Sequence, residues 1–182
     1  MGDVTTLPRG QAYTRADLET MPDDGHRYEI VDGTLVVTPA PSLRHQIAVV
    51  NLVLVLSAAC TDGLRVLTAP FDVALATDTV LQPDVVVARR SDLTERDLPT
   101  APVLAIEVLS PSTRRVDLTL KRSRYEAARC TSYWVVDPDH PSVTVWELRE
   151  GSYVEVAHVE GDEVLEVARP FPVAFTGAQL LA

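Results

Sequence analysis

The sequence predicts a mixed α/β (α+β) domain: a central β-sheet flanked by helices, with a β-hairpin near the N-terminus and a β-meander near the C-terminus. Three observations carry this. Nearly continuous apolar runs of strand length, such as Val103 to Leu109, suit strands covered on both faces. Two helix-length segments separate such runs instead of preceding or following them all. Asp32-Gly33 joins two short apolar runs, and this dipeptide supplies the positive backbone angles of a two-residue hairpin turn. With 182 residues, 46% of them hydrophobic, the chain can bury a core as a single domain over 1–182.

From the N-terminus, a polar lead holds one short helix, Arg15 to Met21, with Thr14 as its cap. The hairpin spans Tyr28 to Val37 and carries Glu29 in its first strand. Pro41-Ser42 opens a helix through about Ala59, capped by Ser42 and apolar on nearly every face. After the Asp62-Gly63 turn, β-rich runs cover Leu64 to Leu75 and Val80 to Ala88, the second containing Gln82-Pro83-Asp84. Val103 to Leu109 follows, and Pro111 stops it. Arg115 to Arg129 reads as a helix with Leu118, Lys121, Tyr125 and Ala128 on one side, spaced three, four and three apart. A strand at Ser132 to Val136, a turn at Asp137-Pro138-Asp139, a meander from Val143 through Val167 and a short helix at Gly177 to Leu181 complete the chain. Trp134 and Trp146 fall among strand residues, where packing is the expected role.

The net charge of -10 argues against bulk electrostatic coating of nucleic acid, which depends on many Lys and Arg contacts to phosphates. Positive charge is local instead. Between Thr113 and Cys130, six basic residues face two acids, a net of +4, which reads either as a phosphate-binding stretch or as a solvated helix face. Two cysteines, Cys60 and Cys130, are too few for a disulfide framework or a zinc site and suit a reducing compartment. The start Met-Gly-Asp-Val-Thr-Thr lacks the pattern of a signal peptide and matches an acylation pattern only loosely. The longest apolar stretch, Ile47 to Cys60, is shorter than the ~20 residues of a membrane span. A soluble, cytoplasmic protein is expected.

Lys121 is the only lysine beside fifteen arginines. Its compact ammonium can sit against a carboxylate and orient a water where a planar guanidinium cannot. Glu107 lies inside the most buried-looking strand, and Asp84 begins another; buried carboxylates are rare unless paired or bound to metal. Together they suggest an oxygen-rich Mg²⁺ site of Asp84, Glu107 and the main-chain carbonyl of Val108, with Mn²⁺ as a substitute. A bound ion would polarise a phosphodiester oxygen and acidify a water, with Lys121 orienting that water. Arg114, Arg115 or Arg122 could grip flanking phosphates. The competing reading is a set of structural ion pairs: Lys121 with Asp117 one helical turn earlier, and the acids with other basic partners.

These residues fall into an ordered pattern. Tyr28-Glu29-Ile30-Val31-Asp32-Gly33, His45-Gln46, Gln82-Pro83-Asp84-Val85, Ile106-Glu107-Val108-Leu109-Ser110-Pro111-Ser112-Thr113, Asp117 to Lys121 and Tyr133-Trp134-Val135-Val136-Asp137-Pro138 resemble the Uma family of putative restriction endonucleases, in the PD-(D/E)xK nuclease superfamily. The resemblance covers a core of about 26–148, leaving a lead of 1–25 and a meander with a short helix over 143–182. It implies a restriction-endonuclease-like fold, a divalent metal and nucleic acid as substrate, DNA before RNA. Asp84 matches the first acid of the motif and Glu107 the second; Leu109 stands where the motif has lysine, and Lys121 supplies the amine from the following helix. Glu29 resembles an additional upstream acid, and His45, Gln82 and Ser110 are expected supports. The expected activity is Mg²⁺-dependent endonucleolytic hydrolysis of DNA; a silent binding module of the same fold, or a hydrolase of small phosphoesters, are the alternatives. A homodimer is expected.

Overall fold

The computed structural model describes residues 5–7 and 12–182. The acylation pattern at Gly2 lies outside them. The elements run β1 (Thr5–Leu7), α1 (Arg15–Leu18), β2 (Arg27–Val31), β3 (Thr34–Thr38), α2 (Leu43–Ala59), β4 (Leu64–Thr68), β5 (Asp72–Ala76), β6 (Thr79–Leu81), β7 (Val85–Arg89), β8 (Asp97–Leu98) and β9 (Leu104–Val108). A π-helical segment (Val116–Lys121) then leads into α3 (Arg122–Ala127), followed by β10 (Ser132–Asp137), β11 (Ser142–Arg149), β12 (Ser152–Glu160), β13 (Val164–Val167), β14 (Val173–Thr176) and a closing 3₁₀ turn (Ala178–Leu181).

The strands form two mixed six-stranded sheets, not one, in the orders β1-β3-β2-β6-β5-β8 and β12-β11-β10-β9-β7-β4, with β13-β14 as a separate pair. In the second sheet β9 and β10 run parallel, joined by the π segment and α3, while β7 pairs antiparallel with β9. Every residue of β9 and β10 is buried, which is why their sequences show no in–out alternation. Ile106, Val108, Trp134 and Val136 pack with Ala48, Leu52 and Leu56 of α2. Across the sheet, Ala105, Tyr133 and Val135 pack with Tyr125 of α3 and with Val31 and Val36 of the first sheet. Glu107 and Asp117, Lys121 of the π segment are buried near this second layer, where the two sheets meet.

The hairpin forms as expected. Asp32 (φ 49°) and Gly33 (φ 72°) both take left-handed angles, the signature of a type I′ turn. Ser42 caps α2 by accepting the His45 N–H at 3.3 Å.

Five expectations about the elements are corrected. Leu64 to Leu75 is not one run: β4 and β5 belong to different sheets, with Pro70 between them. Val80 to Ala88 likewise divides at Gln82-Pro83-Asp84 into β6 and β7, because Pro83 has no N–H to continue a ladder. The helix at Arg115 to Arg129 begins as a π turn, and the helix at Arg15 to Met21 is confined to Arg15–Leu18. The meander ends at β12; β13 leaves it to pair with β14. No helix among the described residues is long and apolar enough to cross a membrane.

Candidate active site

Asp84 immediately precedes β7, where Val85 faces Ile106 of β9. Continuing that antiparallel register by one residue sets Asp84 opposite Glu107, and opposed residues share a face. Glu29 comes from the middle of β2 in the other sheet, and Asp117 and Lys121 from the π segment. Two sheets and one helix therefore converge on a small volume. Glu29, Asp84, Glu107, Asp117 and Lys121 are each no more than 3% exposed.

Lys121 is the hub. Its Nζ lies 2.9 Å from Glu29 Oε1, 3.2 Å from Glu107 Oε1 and 3.5 Å from Asp117 Oδ1. Burial favours loss of its proton, but Glu107, Glu29 and Asp117 outweigh that, and the ammonium stays charged above the usual lysine range. Burial pushes the Glu107 carboxyl well above the ordinary range; Lys121 opposes the push, and Asp117, Asp84 and Glu29 add to it. Asp117 is also raised by burial, against the pull of Lys121 and a hydrogen bond from Thr113.

Asp84 goes the other way. Burial alone would raise it, yet the His45 ring and the Arg27 guanidinium hold it well below the carboxylate range. His45 Nε2 lies 3.2 Å from Oδ2, which also accepts the Val108 amide N–H at 2.8 Å. Arg27 Nη1 donates to Oδ1 at 2.8 Å. Two neighbouring carboxyls are thus pushed apart in proton affinity, Asp84 downward by its basic partners and Glu107 upward by burial, a separation of the kind found in acid–base sites.

A cleft of about 860 Å³ opens onto Asp84, Arg27, His45 and Gln82, with Pro39 to Ser42 and Ser110 to Thr113 on its walls. Glu29, Glu107 and Lys121 are not among its lining residues and lie beneath it.

Of the residues singled out from sequence, Asp84, Glu107, Lys121 and Glu29 come together. His45 holds Asp84. Gln82 donates its main-chain N–H to Glu29 Oε1 at 2.8 Å and its side-chain amide to Asp72 at 2.8 Å. Ser110 stands on the cleft wall, in contact with the hydroxyls of Ser112 and Thr113 at 3.0 and 2.9 Å. Val108 touches Asp84 through its N–H, whereas the expected contribution was its carbonyl. Arg114, Arg115 and Arg122 do not line the cleft. Arg114 pairs with Asp137 at 2.7 Å, and Arg122 covers the Trp146 ring at 5.1 Å.

Arg27 was missed. Its signal was the two-residue alternation of a strand, which puts it on the same face as Glu29. Asp117 was read only as an alternative partner for Lys121; it is an additional member of the same cluster.

A divalent cation suits these residues on two counts. Glu29 Oε2 is buried with no hydrogen-bond partner. Four buried carboxyls, Glu29, Asp84, Glu107 and Asp117, face only Lys121 and Arg27 as fixed cations. Among the described residues, no group of three or more His, Cys, Asp or Glu side chains forms a ready-made metal cage. Mg²⁺ does not need one, since it is commonly held by one or two carboxylates and keeps several waters.

Taken together, two mixed sheets meeting at a buried carboxylate–lysine cluster below an open cleft define the architecture of this α+β protein. A crystal structure of a putative nuclease belonging to DUF820 from Anabaena variabilis ATCC 29413 has this fold, with a TM-score of 0.73 at 18% identity, over 93% of this chain and 97% of that one. The family model described as putative restriction endonuclease, Uma2, matches residues 15–181, and the chain belongs to that family. No curated protein matches the chain.

Proposed function

We propose that this protein is a Mg²⁺-dependent endonuclease that hydrolyses phosphodiester bonds, in DNA before RNA. The observation that carries the reading is the Lys121 ammonium, buried against Glu107 and Glu29 beneath an open cleft whose lining includes Asp84. Membership of a family described as putative restriction endonuclease supports it.

Asp84 and Glu107 would hold the ion, with Glu29 Oε2 as a further oxygen in reach of the cluster and Val108 offering its carbonyl. When bound, the ion supplies polarisation of a phosphoryl oxygen and a water of lowered pKa. The chain's own residues do the rest. Lys121 offsets negative charge on the phosphorus oxygens and aligns the attacking water by hydrogen bonding. His45 and the Val108 N–H fix Asp84 in one orientation, so that no carboxylate reorientation is needed during the reaction. Gln82 does the same for Glu29. Arg115, exposed at the start of the π segment, is free to meet phosphates beyond the cleft, and Arg114 and Arg122 would join it by leaving Asp137 and Trp146.

A cytoplasmic location and a homodimer are part of the same proposal, with the unpaired thiols of Cys60 and Cys130 suiting a reducing compartment. The exposed apolar face of α2, with Leu43, Val50 and Leu54, is suited to a second copy.

The test is plasmid and oligonucleotide cleavage with Mn²⁺ beside Asp84→Ala and Lys121→Ala. Cleavage by the unsubstituted protein alone is the expected result. Intact substrate in every lane, with folded protein, overturns the proposal in favour of a silent binding module.

A further inference from the structure

Arg27 occupies an unusual position for a guanidinium. Its Nη1 bonds Asp84 Oδ1 at 2.8 Å and the Gln82 carbonyl at 3.3 Å, and its side chain is 19% exposed. It lines the cleft together with Asp84 and His45, whereas Glu29, Glu107 and Lys121 do not. Burial works against its charge, yet Glu29, Asp84 and Glu107 together raise its proton affinity, so three acids lie within its electrostatic reach.

Charge accounting separates its role from that of Lys121. The ammonium is held by Glu29, Glu107 and Asp117 and leaves Asp84 to Arg27 and His45. Arg27 therefore supplies the positive charge that a divalent ion on Asp84 would bring. An ion arriving there makes the guanidinium redundant on Asp84 and leaves it at the base of the cleft, on a long side chain. Its planar fork then matches a phosphate, which it can hold by two parallel hydrogen bonds.

Resting on the nuclease reading above, we infer that Arg27 is an exchangeable cation: it stands on Asp84 when the metal is absent and passes to a substrate phosphate when the metal takes that carboxylate. Metal loading and phosphodiester engagement are then coupled through a single side chain, and the coupling is reciprocal.

The experiment is calorimetric titration of Mn²⁺ into the full chain, alone and with a short phosphorothioate DNA duplex, for wild type, Arg27→Gln, Arg27→Lys and Glu107→Gln. Without duplex, Arg27→Gln binds Mn²⁺ about tenfold more tightly than wild type, because a competitor is gone, and Arg27→Lys stays near wild type. The duplex tightens Mn²⁺ binding to wild type and leaves Arg27→Gln unchanged. Thermal melts confirm that the variants are folded. If wild type binds Mn²⁺ and Glu107→Gln does not, equal or weaker binding by Arg27→Gln overturns the exchange alone and makes Arg27 a brace for Asp84. Absence of Mn²⁺ binding by wild type overturns the nuclease reading and the exchange with it.

Discussion

Position 121 shows why one lysine survives among fifteen arginines. Three carboxylates from β2, β9 and the π segment leave room for a single tetrahedral donor, and a five-donor planar fork has no matching geometry there. Removing the ammonium exposes the cost of gathering those acids. Lys121→Met is expected to destabilise the fold by about 3 kcal/mol in guanidinium unfolding, because buried acids lose their only shared partner. Burial weighs against the Glu107 carboxylate and Lys121 offsets it, so Glu107→Gln on that background should restore about 1 kcal/mol. Strict additivity of the two substitutions in a double-mutant cycle would rule out direct coupling between them.

At the level of elements, the hairpin and the π turn teach opposite lessons. The Asp32-Gly33 turn was legible because its requirement is local: both positions need positive φ, and the residue types that tolerate it are few. Structure adds a second constraint. A Cβ at Gly33 would meet Ala12 Cβ at 2.7 Å, while the Gly33 carbonyl accepts from Tyr13 N–H and its N–H donates to Asp78, both at 2.8 Å. Gly33→Ala should therefore cost about 1–2 kcal/mol from φ alone, and more with the Ala12 contact, read as a lowered midpoint in urea. The π turn was not legible. Apolar spacing gave Lys121 its inward direction, but the extra residue of a π turn leaves no mark in a three-and-four pattern. Nor was the partition of strands, since β6 and β7 are both apolar and only Pro83 hints that they part.

Across the whole molecule, the site is a product of two sheets meeting, and that is the part a sequence states least directly. Asp84, Glu107 and Lys121 could be picked out singly, because each is a charged residue in an apolar setting. Arg27 stood out less, since it is one of many arginines: strand alternation sets it on the face of Glu29, but only the pairing of β2 with β6 carries it to Asp84.

The two tryptophans stand on opposite sides of the second sheet, Trp134 beside Phe175 in the layer under α2 and Trp146 beside Tyr133 beneath Arg122. Each layer thus carries its own fluorophore. In Trp134→Phe and Trp146→Phe proteins the remaining indole reports one layer alone, and coincident emission midpoints in denaturant are expected if β9 and β10, buried on both faces, bind the layers into one cooperative unit. Midpoints that separate would mean that the layer holding the carboxylates can open while the other stays closed.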